Sequence, residues 1–540
     1  MRRSITEDGA KESEYEFLHA VYRDSLYQRL APAVRVKLHQ TTGEEIERRS
    51  HNSLGDVAAD LALHFEKSRD NARAITYLRL AARRCASRHA LPEAMGSLTR
   101  ALTLVENLSE PVRSATNLEL LEQLGLLFRL SGQLPDSLRE FGRMNELAAS
   151  VGNAEGQLRA QLWLAGVASF VDRNGCLKAA AQALELSNGA VGPDLSCNAR
   201  GQVAYWNLLF RGWHDADATA SASALEAARR GSDLAPLAWH SSRHAFFQAL
   251  ASRYRDACRT ADEGVRAATE IDSLFDYSMS NYFQAWALLH VGEWGQMRAL
   301  LDSAIERAKR NGNDLWVLLF GLLQAFLHIQ AFSFSRAHEL CIEYLDRAHA
   351  IQHPLSIQMS QILLGLACLG VNDLEGARRS VQAIRTWQAR ERILMDWVWK
   401  LPLALGVTEL QLAEGDLESA RKESEHFFSA ASATAERTWM ALARYSRALV
   451  ALAGGDGAMA LAEISAGLAS IAGIEAPLAE WRLHALADVV EPGGRHRADA
   501  YSVIHQIANS LPGNDPLRMT FLSSAAVPGG RRLAAAPVST

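Results

Sequence analysis

The sequence predicts an all-α fold: a right-handed, tetratricopeptide-like α-solenoid of about ten helix pairs, each about 40 residues long. Three observations predict it. First, a turn signal returns at residues 132, 172, 212, 252, 292, 332, 372, 415 and 455, with Asp172 the weakest member. Second, a small residue sits seven positions before most of these turns: Gly125, Ala165, Ala245, Ala285, Ala325, Gly365 and Ala448, broken by Tyr205 and Thr408. Third, another residue, usually small, follows seven of these turns by five positions: Ser137, Ala257, Met297, Ala337, Ala377, Ala420 and Ala460. Two antiparallel helices that pack closely need small side chains where their backbones approach and a reversal between them. A period in this range marks stacked units sharing one continuous core.

The 540-residue chain is 48% hydrophobic and carries a net charge of −5. Its pI of about 6.4 argues against a nucleic-acid surface as its main business. Six cysteines, Cys85, Cys176, Cys197, Cys258, Cys341 and Cys368, are scattered without a CxxC pair, as expected of free thiols in a reducing compartment. Arg2, Arg3, Glu7 and Asp8 leave no apolar run for a signal peptide. The most apolar stretch, 315–332, is interrupted by Gln324, His328 and Gln330 and reads as a buried repeat helix. The expected location is the cytoplasm, with no membrane partner.

In chain order, residues 1–14 are polar and are expected to be disordered. Residues 15–53 form an amphipathic helical piece: Phe17, Val21, Leu26 and Leu30 sit near helical spacing, Ala31-Pro32 punctuates, and Val34, Leu38 and Ile46 continue the apolar pattern. The repeat array is expected over 54–475. It opens with Leu61, Ala62 and Phe65 facing Ala74, Leu78 and Ala81, and Pro92 starts the next helix. From Pro477 the register fades into helices over 476–522, expected to cap the last apolar face. The tail 523–540 is rich in Ala, Pro and Gly and is expected to be disordered.

The run Phe17-x-His19-Ala20-x-Tyr22-Arg23-x-x-x-Tyr27-x-x-Leu30, followed by Arg35, Leu38-His39 and Gly43-x-x-Ile46-Glu47, resembles a known junction. It is similar to the segment after the ATPase module in STAND-type signal-transduction ATPases and transcriptional regulators. There it closes a winged-helix-like subdomain and leads into tetratricopeptide-like repeats. The tail around Asn509-Ser510-Leu511-Pro512 and Asp515-Pro516-Leu517-Arg518 resembles the end of some of these regulators. The resemblance implies a regulatory sensor domain whose partner is an ATPase or effector module reached through residues 15–53. This sequence has no G-x-x-x-x-G-K-[ST] run, and none of its lysines follows a glycine, so nucleotide hydrolysis does not carry over.

One positional pattern suggests a binding site. Six residues before consecutive turns stand Trp206, Phe246, Trp286 and Phe326, with Tyr282 and Trp239 one and two helical turns earlier on the same face. In tetratricopeptide arrays that face lines the concave groove, so these six residues either floor a groove for a protein or small effector or form plain core. His240 with His244, and His349 with His353, share the i, i+4 spacing of metal ligands, but neither pair has a third ligand in sequence context. No catalytic constellation, cofactor motif or metal site is expected. The chain reads as a non-enzymatic regulatory repeat domain; the other reading is a free-standing adaptor or scaffold.

Overall fold

The computed structural model describes residues 2–5, 11–14, 20–88, 90–189, 191–388 and 394–525. These residues form 26 helices and one two-stranded antiparallel pair, Arg2–Ile5 with Lys11–Glu14. The pair lies where the sequence suggested no order. Its register joins Arg3 to Ser13 and Arg2 to Glu14. Residues 15–19 and 526–540, the start of the junction motif and most of the expected disordered tail, lie outside the described residues. The helix Pro516–Ala525 carries order three residues beyond 522.

The helices alternate between hairpins and hairpin-to-hairpin contacts, as a tetratricopeptide-like solenoid requires. The turn signal is a backbone conformation. Gly132, Gly212, Ser252, Gly292, Phe332, Asn372, Gly415 and Gly455 all have φ between 58° and 96°. A left-handed residue at this point lets the next amide reach back to the carbonyl five residues earlier. Arg253 N donates to Gln248 O (2.8 Å), Asp373 N to Cys368 O (2.9 Å) and Asp456 N to Ala451 O (2.9 Å). Asp172, the weak member, has φ −146° and no such turn. A second left-handed series, Gly152, Asp272, Gly312 and Gln352, falls half a period later and joins one hairpin to the next.

The small residues meet as their spacing suggested. Ser137 Oγ donates to Gly125 O at 2.8 Å, and a Cβ on Gly365 would lie 3.8 Å from Ala377 O. Ala165, Ala245, Ala285, Ala325 and Ala448 are fully buried, as are Ala257, Ala337 and Ala460.

The chain divides into two compact units, 1–191 and 192–540. In the first, the helix Pro32–Arg49 packs on Ala58–Lys67, where a Cβ on Gly43 would lie 3.2 Å from the Phe65 ring. Tyr77 Oη donates to Glu47, and Tyr27 Oη meets His39 Nε2 at 2.8 Å. Through His39–His64 (3.1 Å) and Glu47–Tyr77 the junction helices bond directly to the first helices of the array.

In the second unit the chain closes on itself. The turns at 212, 252 and 292 each meet the start of a helix about 185 residues later. Trp397 Nε1 donates to Leu208 O (2.8 Å), beside Gly212. Ser252 Oγ donates to Glu436 (3.1 Å) and accepts from Arg437 N (2.8 Å). A Cβ on Gly292 would touch Pro477 at 3.2 Å, and Phe332 packs on Trp481 and Phe521 with centroids 5.9 and 6.2 Å apart. The helices Pro477–Val490, Arg495–Asn509 and Pro516–Ala525 thus do more than cap the last repeat. They pack against the turns at 292 and 332, where Trp294 stacks edge-on against Phe521 and Trp294 N donates to Ser510 Oγ (3.0 Å). Gly295 has no room for a side chain, because a Cβ would overlap the Ser510 carbonyl, a backbone group that cannot swing away. Gly295→Ala is expected to cost about 1–3 kcal/mol. Urea melts of the pair would measure it, and an unchanged midpoint would contradict this seating of the C-terminal helices.

Candidate protein-docking surface

Five of the six residues proposed for the groove are core. Trp206, Phe246, Tyr282, Trp286 and Phe326 are all buried, and only Trp239 is partly exposed. This corrects the groove reading, and the reason is the closure of the second unit. On this face Trp286 and Phe326 are covered by the helix Asp396–Ala413, and His290 by Arg437–Ala453. Trp286 meets Trp399 edge to face at 5.6 Å, Phe326 lies 5.8 Å from Trp399, and His290 lies 6.2 Å from Trp439. Trp239 carries the buried Arg243 guanidinium over its ring at 4.4 Å, with Asp276 neutralising the charge. A cavity beside Gly365, Leu366, Gly406 and Leu410 measures about 10 Å³, space for one water at most.

The sequence carries a signal of this covering in a second aromatic series. Trp399, Trp439 and Trp481 recur at steps of 40 and 42 near the starts of three successive first helices, and all three are buried. One aromatic series meets the other.

The histidine pairs do not converge. His240 Nε2 bonds Asn198 Oδ1 at 2.7 Å, whereas His244 Nδ1 bonds Ser221 Oγ at 3.1 Å on another helix. His353 caps its helix through Ser356, and His349 is exposed. Burial pushes His240 down to about 3 and His244 to about 4, so both are neutral. All six cysteines are free, and burial raises the Cys176 and Cys258 thiols to about 12, which makes them poor nucleophiles.

What remains open lies in the first unit. The junction helices Ala20–Arg29 and Pro32–Arg49 turn Val21, Leu26, Val34 and Leu38 outward, at 75%, 53%, 45% and 49% exposure. The apolar pattern in these helices predicted a buried face, and among the described residues nothing covers it. Single exposed aliphatics are ordinary; four on two consecutive helices add up to apolar surface that water wets unfavourably.

The first-helix face of the same unit is also open. On Val112–Leu130 and Ala154–Ala168, Glu122 accepts from Trp163 Nε1 at 2.8 Å and faces Arg159 at 3.8 Å. Arg129 lies 5.8 Å over the Trp163 ring, and Leu130, Phe170 and Val171 are exposed at the turn ends. An indole edge, an arginine and apolar rims are the side chains that dominate protein recognition. Neither surface brings an acid, a base and a nucleophile together.

No family model matches the chain, and no curated protein does. Among solved structures, the chain is similar to the apo form of the quorum sensor NprR from B. thuringiensis. The identity is 14%, the match covers 68% of this chain and 99% of that one, and the TM-score is 0.44. It is similar to aspartyl phosphate phosphatase F from Bacillus subtilis at 11% identity, over 66% and 92% of the two chains, with a TM-score of 0.41. It is also similar to the yeast Tom70 at 10% identity, over 91% and 94%, with a TM-score of 0.36. At these scores the activities of the neighbours do not bear on this chain. No helix among the described residues is long and apolar enough to cross a membrane.

Proposed function

We propose that this chain is a non-catalytic regulatory repeat domain that docks to a partner protein module through its N-terminal junction helices. The observation that carries this reading is the exposed apolar face of Val21, Leu26, Val34 and Leu38. These residues belong to the segment that resembles the junction of STAND-type ATPase regulators, where an ATPase module precedes it. A segment built to be covered on that side would show this pattern when the covering module is on another chain or a longer form. The first-helix face around Trp163 and Arg129 supplies a second surface, suited to a peptide segment of an effector. The core of the second unit then serves as a rigid body, since its own helices occupy the face that a groove would need.

The adaptor reading differs in what it binds. Leu26→Glu with Leu38→Glu places two charges on the junction face, where surface substitutions ordinarily move stability by no more than about 0.5 kcal/mol each. The regulatory reading predicts that wild type captures a P-loop ATPase chain from native lysate and that the folded double variant loses it. A partner without an ATPase, held equally by the double variant, would favour the adaptor.

A further inference from the structure

The C-terminal hairpin of the second unit carries a cluster that neither the repeat nor the docking surfaces explain. His484 stands on Pro477–Val490, and His496 and Asp499 stand on Arg495–Asn509. His484 Nδ1 and His496 Nδ1 face each other at 2.8 Å, with ring centroids 5.1 Å apart and planes 35° apart. One ligand atom from each of the three residues lies within 4.8 Å of the other two. We propose that His484, His496 and Asp499 form a site for a divalent transition metal, with zinc the first candidate.

The chemistry selects the class of ion. Two imidazole nitrogens and a carboxylate suit zinc and its neighbours, whereas magnesium and calcium prefer all-oxygen shells. Two nitrogens on one tetrahedral zinc, each bonded at about 2.0–2.1 Å, stand roughly 3.3 Å apart. The nitrogens therefore need to separate by about half an ångström, and because they point almost straight at each other, each ring must also tilt by roughly 35° to aim its lone pair at one ion. Without an ion, one Nδ1 must carry a proton and donate to the other; an ion replaces that proton, and both rings then carry it on Nε2.

The scaffold holds the three groups in place. The turn between the helices is fixed by Asp488, which accepts from Gly493 N (3.1 Å) and Arg497 Nε (2.9 Å). His496 follows that turn directly, so its backbone cannot drift far from His484. Buried Leu483 and Ala487 on one helix, and Ala500 and Ile504 on the other, are core residues flanking the cluster in sequence. Arg495 pairs with Asp499 at 3.2 Å, but its side chain is 89% exposed and free to leave when a cation arrives. An ion here would pin together the two helices that pack against the turns at 292 and 332.

The test uses the full chain purified without a histidine tag and stripped with a chelator. Zinc titration by calorimetry is expected to show one ion per chain, and cobalt(II) is expected to give the visible absorption of a low-symmetry nitrogen and oxygen site. His484→Gln and His496→Asn should each weaken zinc binding by about a hundredfold or more, while exposed His349→Asn leaves it unchanged. Thermal melts on all four proteins check folding, and zinc should raise the melting temperature of wild type but not of the two site variants. Absence of saturable zinc binding to wild type would overturn the proposal. So would wild-type affinity in folded His484→Gln and His496→Asn.

Discussion

Trp286→Ala is expected to destabilise the second unit by about 3–5 kcal/mol, the largest effect of any single truncation considered. Trp286 is almost fully buried, and it touches both halves of the closed unit: Phe326 at 6.1 Å on the neighbouring repeat and Trp399 at 5.6 Å on the covering helix. Removing the indole opens a cavity lined by aromatics that cannot collapse without moving a helix. Urea melts followed by near-ultraviolet circular dichroism would measure the loss. A double-mutant cycle with Trp399→Ala adds specificity, since directly packed residues couple by about 0.5–3 kcal/mol. Trp286→Phe should be far milder, because the indole N–H has no hydrogen-bond partner to lose. A cost under about 1 kcal/mol for Trp286→Ala would mean that the face is open after all.

The second large effect is a pH dependence centred on Glu436. Its carboxylate is fully buried at the start of Arg437–Ala453, where it accepts from Tyr254 Oη, from Ser252 Oγ (3.1 Å) and from Trp439 N (2.7 Å). Burial pushes it up to about 7, against the pull of those three donors. The folded state therefore holds a proton that the unfolded chain, titrating near 4.5, releases earlier. The stability this group contributes is fully present below about 4.5 and is lost as pH rises to about 7, on the order of 3 kcal/mol in all. Buried His240, His244 and His290 act oppositely. Burial lowers them to about 3, 4 and 4, so the folded state refuses protons that the unfolded chain takes up below about 6.5. Their stability is present at neutral pH and is lost on acidification. Glu436→Gln removes only the first contribution. Relative to wild type it should become more stable by up to roughly 3 kcal/mol between pH 5 and pH 8. A difference between the two proteins that does not change with pH would contradict a carboxyl buried at this contact.

How far the sequence disclosed all this follows from what each signal encodes. The turn frame was legible because a left-handed residue and two small neighbours are local requirements, repeated at 132, 212, 252 and on to 455. Even Phe332 and Asn372 kept the frame without glycine; for Phe332, contacts with Trp481 and Phe521 offset the backbone strain. The aromatic stripe was legible as a stripe but not as core. Whether Trp206 or Trp286 faces solvent depends on a helix about 110 to 190 residues away, and no periodicity of a single repeat reports that. The returning Trp399, Trp439 and Trp481 would have signalled it had the two series been read together. The junction helices misled in the opposite direction: Val21 and Leu38 follow a buried pattern yet lie exposed, because amphipathicity records a partner without saying which chain supplies it. His484 and His496 are twelve residues apart across a turn, too far for any motif spacing to connect.

The central claim is that the second unit fills its own inner face while the first leaves its junction and first-helix faces open. Hydroxyl-radical footprinting of the native chain, read residue by residue by mass spectrometry, tests it most directly. The account predicts protection of Trp206, Phe246, Trp286, Phe326 and Trp399 together with strong modification of Leu26, Leu38, Leu130 and Phe170. Modification of Trp206 and Trp286 at the rate of Phe170 would contradict it and return the aromatic stripe to an open groove.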